Sequence, residues 1–412
     1  MCFDFDQKRA YDSAVFGNNV FISGGGGVGK SFVIRSIIDD LRANSRNVVT
    51  CAYTKYAALN IDPVNGLTIY KAFNTFPKGL VDDEQGLIRL RKSAAMNADT
   101  IIIDEISMCS KEFFTYINKA IRRISLENNY KNIQIIVSGD FFQLPPICKD
   151  LRNAEYAFES HFWDKSNLDI VMLETPHRQE NKEFYDRLYQ IRRGENIMDN
   201  LQYIKDHSHY MEKREDAVTL CSYRTDVKKM NNEKIATLPG KSRVYMARTN
   251  SQKFLVGLTV WDCLELKVGT LVMTIYNDPE KRFYNGLTGR IIDMKEKSVI
   301  VRFDDSTPIK PHVEEIGYRR WIDDEDGIFA EQLPLIPAYS ITIHKAQGCT
   351  LDYVNVNPRS FTDGQLYVAL SRVTDINHLY VTKEIRPNDI KVNKKVLDFY
   401  SKYEREKRHL SA

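Results

Sequence analysis

Residues 24–31 read GGGGVGKS and constrain the fold more than any other segment of the sequence. They lie between an apolar run at 19–23, which predicts a buried strand, and apolar residues at helical spacing that begin with Phe32. Glycines here let backbone N–H groups curve around phosphate oxygens, and the helix start adds the positive end of its dipole. The segment therefore predicts a phosphate-binding loop of the form G-x-x-x-x-G-K-[ST], built from Gly24, Gly25, Gly26, Gly27, Val28, Gly29, Lys30 and Ser31.

A predicted strand that ends in acidic residues complements the phosphate-binding loop. In this type of loop, Lys30 reaches the β- and γ-phosphates and Ser31 holds Mg²⁺. The segment IIIDE at 101–105 predicts an apolar strand that ends in two carboxylates. Asp104 then lies at the carboxyl edge of the sheet, where it binds Mg²⁺, and Glu105 orients and deprotonates the attacking water. The combination predicts hydrolysis of ATP rather than nucleotide storage.

The alternation of apolar runs and helical patterns indicates the fold class. Buried strands are predicted at 19–23, 47–52, 100–104, 133–138 and 169–173. Because helical stretches separate them, we expect an α/β domain with a parallel sheet and helices on both faces. Residues 74–97 interrupt this rhythm and predict a small insertion. Residues 241–335 contain short β segments and an Asn285-Gly286 turn, which predict a second, β-barrel-like insertion.

Composition narrows the class of protein. The chain has 412 residues, enough for two or three domains, and its apolar content of 43% and charged content of 27% exclude a disordered chain. The apolar runs are strand-sized, so no membrane partner is expected. The seven scattered cysteines and the absence of a leader pattern predict a soluble, intracellular protein. The net charge of +3 is too small to indicate nucleic-acid binding by itself.

Nine segments, including the two described above, occur in a distinctive order along nearly the whole chain. They are GGGGVGKS (24–31), GLTIYKAF (66–73), IIIDEISM (101–108), GDFFQLPPI (139–147), HRQ (177–179), IRRGE (191–195), NGLTG (285–289), AYSITIHKAQGCTLD (338–352) and GQLYVALSRV (364–373). In this order they resemble the superfamily 1 class B helicases and, within them, the PIF-type DNA helicases. The RecD and phage Dda helicases are more distant relatives.

The resemblance implies a domain plan. Two RecA-like motor domains are expected, the first at 1–172 and the second assembled from 173–240 and 336–412. Within the first, residues 74–97 would form a small insertion that carries a wedge, with Phe76-Pro77 either as its tip or as a plain loop turn. Residues 241–335 would form an SH3-like β insertion. ATP and Mg²⁺ are the implied cofactors.

The resemblance also implies roles for individual residues. Gln7 would contact adenine, Gln143 would sense the γ-phosphate, and Arg178 and Arg372 would act as arginine fingers. From the residues alone, neither arginine is distinguished from a surface arginine. The implied catalytic set is Lys30, Asp104, Glu105, Gln143, Arg178 and Arg372. The implied DNA contacts are Thr54, Lys55, Thr68, Tyr70, Phe142, Pro145, Pro146, Thr342, His344 and Lys345.

The activity implied is that of an ATP-driven helicase that moves 5′→3′ along single-stranded DNA and acts on tailed or forked duplexes. One chain contains the complete motif set, so a monomer is sufficient. Three alternatives stay open. The motor would be a translocase, alone or as a subunit of a larger recombination or repair complex, if its wedge were ineffective. It would be a nucleotide-gated DNA-binding module if turnover were absent, and an RNA-directed helicase if RNA stimulated it, since no residue visibly tests for a 2′-hydroxyl.

Overall fold

The computed structural model describes residues 3–75, 84–146, 154–177, 181–258, 260–280, 282–303, 311–323 and 327–410. The chain divides into two compact units. Unit 1 consists of Met1–Arg214 together with Ala346–Ala412, and unit 2 consists of Glu215–Lys345. These boundaries differ from the three-part division expected from the sequence, which stays a prediction.

The strands in chain order are β1 (Val20–Gly24), β2 (Val48–Ala52), β3 (Leu67–Thr68), β4 (Thr100–Asp104), β5 (Gln134–Gly139), β6 (Asp169–Leu173), β7 (His209–Tyr210), β8 (Val218–Cys221), β9 (Arg243–Met246), β10 (Arg248–Thr249), β11 (Cys263–Leu266), β12 (Leu271–Thr274), β13 (Thr288–Met294), β14 (Ser298–Phe303), β15 (His312–Gly317), β16 (Arg319–Asp323), β17 (Ile328–Gln332), β18 (Leu335–Pro337), β19 (Ser340–Thr342), β20 (Val354–Val356) and β21 (Leu379–Val381).

The helices are α1 (Phe5–Phe16), α2 (Lys30–Ala43), α3 (Lys55–Ile61), α4 (Ile69–Ala72), α5 (Glu84–Arg91), α6 (Lys111–Glu127), α7 (His161–Lys165), α8 (Lys182–Arg193), α9 (Ile197–His207), α10 (Arg224–Thr237), α11 (Gln252–Gly257), α12 (Ile343–Ala346), α13 (Gln365–Leu370) and α14 (Lys394–Leu410).

Unit 1 is built on a six-stranded parallel sheet with the order β3-β2-β4-β5-β1-β6. The five predicted strands of the N-terminal half are all present, each within one residue of the expected limits. Because the strands are parallel, the carboxyl ends of β1, β4 and β5 meet at one edge of the sheet. This edge carries the glycine-rich loop and the acidic pair.

Helices cover both faces of this sheet, as expected for an α/β domain. Side chains alternate along each strand, so Ile101 and Ile103 face one way and Ile102 faces the other. Ile101 and Ile103 pack in a core with α6 and with the C-terminal helix α14. Ile102 packs in the opposite core with α1 and α2. The two cores hold the sheet in place from both faces.

The C-terminal part of unit 1 contributes strands β20 and β21 and helices α13 and α14. Strands β7, β21 and β20 pair in parallel. Helix α14 inserts Tyr400, which is 0% exposed, into the core beside β1. The Tyr400 hydroxyl lies 2.7 Å from the Ser23 hydroxyl and accepts a hydrogen bond of 3.1 Å from the backbone N–H of Phe141. The chain end is therefore joined to the strand that leads into the glycine-rich loop.

Unit 2 is rich in β structure. Its largest sheet is antiparallel with the order β15-β14-β13-β12-β18, accompanied by the sets β10-β17-β16 and β11-β9. The predicted Asn285-Gly286 turn is confirmed: it lies between β12 and β13, and the Gly286 N–H donates to the Thr274 carbonyl at 2.8 Å. Strands β8 and β19 of this unit pair in parallel. In the ranges described above, no helix is long and apolar enough to cross a membrane.

Candidate functional site

The glycine-rich loop joins β1 to α2 through backbone that only glycine adopts easily. Gly27 and Gly29 have φ angles of 85° and 84°, in the left-handed region. At Gly24, a Cβ atom would lie 2.7 Å from the carbonyl oxygen of Leu173 on β6. The loop therefore has the tight curvature predicted for phosphate binding, and helix α2 begins directly after it.

Lys30 is held at this loop by backbone carbonyls. Its Nζ donates hydrogen bonds to the carbonyl oxygens of Gly24 and Gly25, at 2.7 and 2.9 Å. Burial lowers the pKa of Lys30, and the nearby carboxylates of Asp140, Glu105 and Asp104 oppose that effect. Because no carboxylate in the described residues pairs directly with this ammonium group, a phosphate group would be a better partner than the present carbonyls.

The two carboxylates at the end of β4 crowd each other. Asp104 is 6% exposed, and burial, followed by the neighbouring charge of Glu105, raises its pKa. Glu105 has φ 55° and ψ 45°, a left-handed conformation that is uncommon for a residue with a side chain. A bound cation would relieve the repulsion between the two groups.

One cavity of about 240 Å³ brings the loop and the acidic pair together. It lies entirely within unit 1. Predicted site residues from distant parts of the chain line it. They are Gly26, Gly27, Val28, Gly29, Lys30, Ser31, Asp104, Glu105, Gln143 and Arg372. The geometry thus assembles most of the predicted catalytic set around one space.

Gln143 and Arg372 are both buried at this cavity. Gln143 is 5% exposed, and its Oε1 has no hydrogen-bond partner among the described residues. Arg372 is 3% exposed and donates to the carbonyls of Val368, Ala346 and Cys349, at 2.7, 3.3 and 2.9 Å. Burial lowers the pKa of this guanidinium group. The positively charged guanidinium group of Arg372 is thus held by neutral carbonyl acceptors next to the glycine-rich loop.

Gln7 lies against the same loop. Its side chain and that of Asp4 cap the start of α1 reciprocally, and its Nε2 donates to the Val28 carbonyl at 3.2 Å. Asp4 also contacts the His177 ring at 2.6 Å, and the backbone N–H of His177 donates to the Gly27 carbonyl at 2.9 Å. The contact of Gln7 with adenine stays a prediction.

The donor set fits Mg²⁺. The described residues contain no cluster of three or more His, Cys, Asp or Glu side chains that would form a protein-only metal site. Mg²⁺ is usually bound by one or two carboxylates together with waters and substrate phosphates, so such a cluster is not required. Ser31 and Asp104 both line the cavity and provide the hard oxygen ligands that Mg²⁺ prefers.

Three residues of this site were not predicted from the sequence. The Tyr367 hydroxyl accepts a hydrogen bond of 3.0 Å from the backbone N–H of Gly26. Asn60 donates from its amide to the Ser31 hydroxyl at 3.3 Å. Gln347 donates to Glu105 at 3.0 Å. Tyr367 and Gln347 lie within quoted motifs, but their partners are hundreds of residues away, and no local pattern encodes such contacts.

Four of the predicted DNA contacts lie at the starts of two short helices of unit 1. The hydroxyls of Thr54 and Thr68 accept hydrogen bonds from the backbone N–H groups of Ala57 and Lys71, at 3.1 and 3.4 Å, and so cap α3 and α4. Lys55 Nζ donates to the Gly66 carbonyl. Tyr70 is half-buried, with its ring 6.1 Å from that of Tyr53 and 5.3 Å from that of Phe113.

The predicted contacts at 142–146 are placed differently. The Phe142 ring is 4% exposed, and Pro145 and Pro146 are also buried. Phe142 stacks on Tyr400 with ring centroids 4.8 Å apart, and the Arg192 guanidinium lies 4.4 Å from its centroid. Base stacking by Phe142 would require the ring to leave this position. The role of the segment in binding DNA stays a prediction.

Thr342, His344 and Lys345 lie at the end of β19 and in α12, within unit 2. Burial, followed by the charge of Arg224, lowers the pKa of His344 to about 4 and that of Lys345 to about 8. A phosphate next to these side chains would oppose both shifts. Arg178 and the suggested wedge tip at 76–77 lie outside the described residues.

Known proteins match this chain over nearly its whole length. The model of the PIF1-like helicase family matches residues 2–206. The ATP-dependent DNA helicase Pif1 of Campylobacter jejuni is 31% identical over 97% of this chain and 96% of the relative. The ATP-dependent DNA helicase PIF1 of Danio rerio is 33% identical over 98% of this chain and 64% of the relative. A solved structure concerned with unwinding at forked double-stranded DNA by two coordinating Pif1 helicases superposes with a TM-score of 0.84, at 26% identity and 98% coverage of each chain.

Proposed function

The chain belongs to the PIF1-like helicase family and is an ATP-dependent DNA helicase, and we propose that it moves 5′→3′ along single-stranded DNA while it separates the duplex. The observation that carries the proposal is the single cavity that brings Lys30, Glu105 and Arg372 together. These residues lie in three separate motifs. Lys30 supplies a positively charged ligand for phosphate, Glu105 supplies a carboxylate, and Arg372 supplies a second buried positive charge. Such a set serves phosphoryl transfer to water.

In the proposed reaction, the backbone N–H groups of the loop and Lys30 hold the β- and γ-phosphates. Glu105 orients a water molecule and accepts its proton as the water oxygen bonds to the γ-phosphorus. The bond to the β,γ-bridging oxygen breaks, and its electron pair stays on ADP. Arg372 stabilises the charge on the transferring group, and Gln143 contacts the γ-phosphate.

Ser31 and Asp104 would hold Mg²⁺ in this site. When bound, the cation supplies positive charge to the β- and γ-phosphate oxygens. The raised pKa of Asp104, caused by burial and then by the charge of Glu105, supports this assignment, because a cation at this position would favour the ionised carboxylate.

Translocation would follow from the coupling of this site to DNA contacts. Thr54, Lys55, Thr68 and Tyr70 of unit 1 and Thr342, His344 and Lys345 of unit 2 are the proposed contacts. Lysine and threonine side chains suit phosphates, and the Tyr70 ring suits a base. Alternating grip during binding and hydrolysis of ATP would produce net steps. Tailed and forked duplexes are the proposed substrates.

Strand separation on duplexes that carry a single-stranded tail at one end only tests this proposal. We expect ATP-dependent unwinding when the tail is 5′ and little unwinding when it is 3′. The Lys30→Ala variant is the control for displacement without ATP hydrolysis. Preferential unwinding of the 3′-tailed duplex would overturn the polarity. Hydrolysis stimulated by DNA with neither duplex unwound would favour the translocase.

A further inference from the structure

Glu105 accepts a hydrogen bond from Gln347, a residue without a role in the proposed reaction. Gln347 lies in the turn after α12, and its Nε2 donates to Glu105 Oε2 at 3.0 Å and to the Ser107 hydroxyl at 3.3 Å. Gln347 and Glu105 are 242 residues apart in the sequence. Among the described residues, the side-chain hydrogen bond to this carboxylate comes from Gln347. The amide therefore sets the direction in which the carboxylate points.

The contact is not explained by its contribution to stability. Gln347 is 6% exposed, and its Oε1 has no hydrogen-bond partner among the described residues. A buried carbonyl oxygen without a hydrogen-bond partner lowers the stability of the fold. An apolar side chain of similar size would remove that cost, and the hydrogen bonds lost with the amide would be those to Glu105 and Ser107. The position thus keeps an amide whose visible contacts are with Glu105 and with Ser107, three residues after Asp104.

The same turn also holds Arg372. The Arg372 guanidinium donates to the carbonyls of Ala346 and Cys349, which flank Gln347 on the two sides. Gly348 has a φ angle of 81°, and a Cβ atom there would lie 3.4 Å from Glu105 Oε1. Within residues 346–349, Gln347 therefore contacts the proposed base Glu105, and the carbonyls of Ala346 and Cys349 contact the proposed arginine finger Arg372.

We propose that Gln347 is a positioning residue that aims the Glu105 carboxylate at the attacking water. The turn at 346–349 joins that carboxylate to Arg372, so that the two groups take their working positions together. The inference rests on the proposed role of Glu105 in hydrolysis. It adds a residue that acts through Glu105 and does not itself touch ATP.

The test is a double-mutant cycle between Gln347→Met and Glu105→Gln. Methionine keeps the length and approximate volume of glutamine but removes the donor. Misplacing a catalytic group by about 1 Å costs on the order of 10²-fold in rate, so we expect kcat for ATP to fall about 10- to 100-fold in the single variant, with an unchanged KM. In the Glu105→Gln background, single-turnover hydrolysis should show no further loss.

Gln134→Met is the matched control, because Gln134 is also a buried glutamine, 3% exposed, whose amide donates to backbone carbonyls of Ala14 and Asn18. It should lower the melting temperature without the selective loss of kcat. Should Gln347→Met fail to fold, Gln347→Asn withdraws the donor by one methylene and serves in its place. The inference is overturned if kcat is unchanged, or if the loss is equally large without the Glu105 carboxylate. Normal turnover of the Glu105→Gln variant would instead refute the role of Glu105.

Discussion

Arg192 and Arg372 are both 3% exposed in unit 1, but their positive charges are balanced in opposite ways. Arg192 makes hydrogen bonds with both oxygens of Asp140, the shortest 2.6 Å, and this ion pair raises its pKa. Arg372 donates to backbone carbonyls and to the Ser371 hydroxyl, and burial lowers its pKa. One cation has a carboxylate partner, and the other is held by neutral dipoles.

The difference distinguishes a region around Arg192 that stabilises the fold from the candidate ATP site around Arg372. Arg192, Asp140, Phe142 and Tyr400 form a satisfied cluster that fixes the end of β5 and helix α14. The cavity next to it contains buried groups that are only partly satisfied, including a lysine with a lowered pKa and an aspartate with a raised one. A buried cation without a counter-charge costs free energy unless a ligand supplies that charge. We therefore expect ATP phosphates to complete the cavity.

The largest effect is expected from Lys30→Ala. The substitution removes the cation that we propose holds the β- and γ-phosphates, so turnover should fall below detection in steady-state ATPase assays. Lys111→Ala is the control, because that lysine is exposed and pairs with Glu155 at 2.8 Å on the surface. Lys111→Ala should retain wild-type turnover. Residual hydrolysis by Lys30→Ala at a substantial rate would mean that the loop is not the phosphate site.

Arg372→Ala should affect chemistry more than binding. An arginine finger contributes about 10³- to 10⁵-fold to the rate, so we expect turnover to fall by about 10³-fold or more. Binding of a fluorescent ATP analogue should be retained. The melting temperature should also change little, because no carboxylate in the described residues loses an ion-pair partner. Near-normal turnover would refute the assignment.

Arg192→Met should show the reverse pattern. It leaves Asp140, which is 0% exposed, as a buried charge without its partner, and such a break costs about 3–5 kcal/mol of stability. Thermal unfolding measured beside Arg372→Ala compares the two arginines directly. Adding Asp140→Asn should recover part of the loss. If Arg192→Met melted with the wild type while Arg372→Ala did not, the contrast between the two regions would be reversed.

The smallest effect concerns Lys345 and pH. With a pKa of about 8, this lysine loses its charge between pH 7 and 9, whereas an ordinary lysine keeps it. His344, with a pKa of about 4, stays neutral over this range. If Lys345 contacts a phosphate, affinity for single-stranded DNA should fall as pH rises from 7 to 9. Fluorescence anisotropy should show weaker binding and a flatter pH profile for Lys345→Met. Identical profiles for the two proteins would remove Lys345 from the DNA contacts.

Local sequence patterns were sufficient to predict the sheet edge. The loop at 24–31 and the acidic pair at 104–105 each follow a buried strand, and parallel strands bring their carboxyl ends to one edge. The structure confirms these strands and places Gln143 and Arg372 at the same cavity. Those two residues came from the family resemblance, since nothing in their local spacing distinguishes them from ordinary side chains.

Contacts that depend on tertiary packing could not be predicted from local sequence patterns. The contact of Phe142 with DNA stays a prediction, but the sequence did not show that its ring stacks on Tyr400, a residue 258 positions later in the chain (400 minus 142). Helix α14 carries aromatic residues that enter the core of the first sheet, and no local pattern in the sequence predicts that contact. Hydrophobic periodicity shows that a helix has an apolar face but does not identify the surface that it covers.

The decisive experiment is steady-state ATP hydrolysis with Mg²⁺, measured without nucleic acid, with a single-stranded DNA oligonucleotide and with RNA of the same sequence. We expect a low basal rate that DNA raises strongly and RNA does not, with Lys30→Ala inactive throughout. A rate unaffected by either nucleic acid would contradict a motor whose partly satisfied ATP site is coupled to DNA. Equal stimulation by RNA would contradict the choice of DNA as its track.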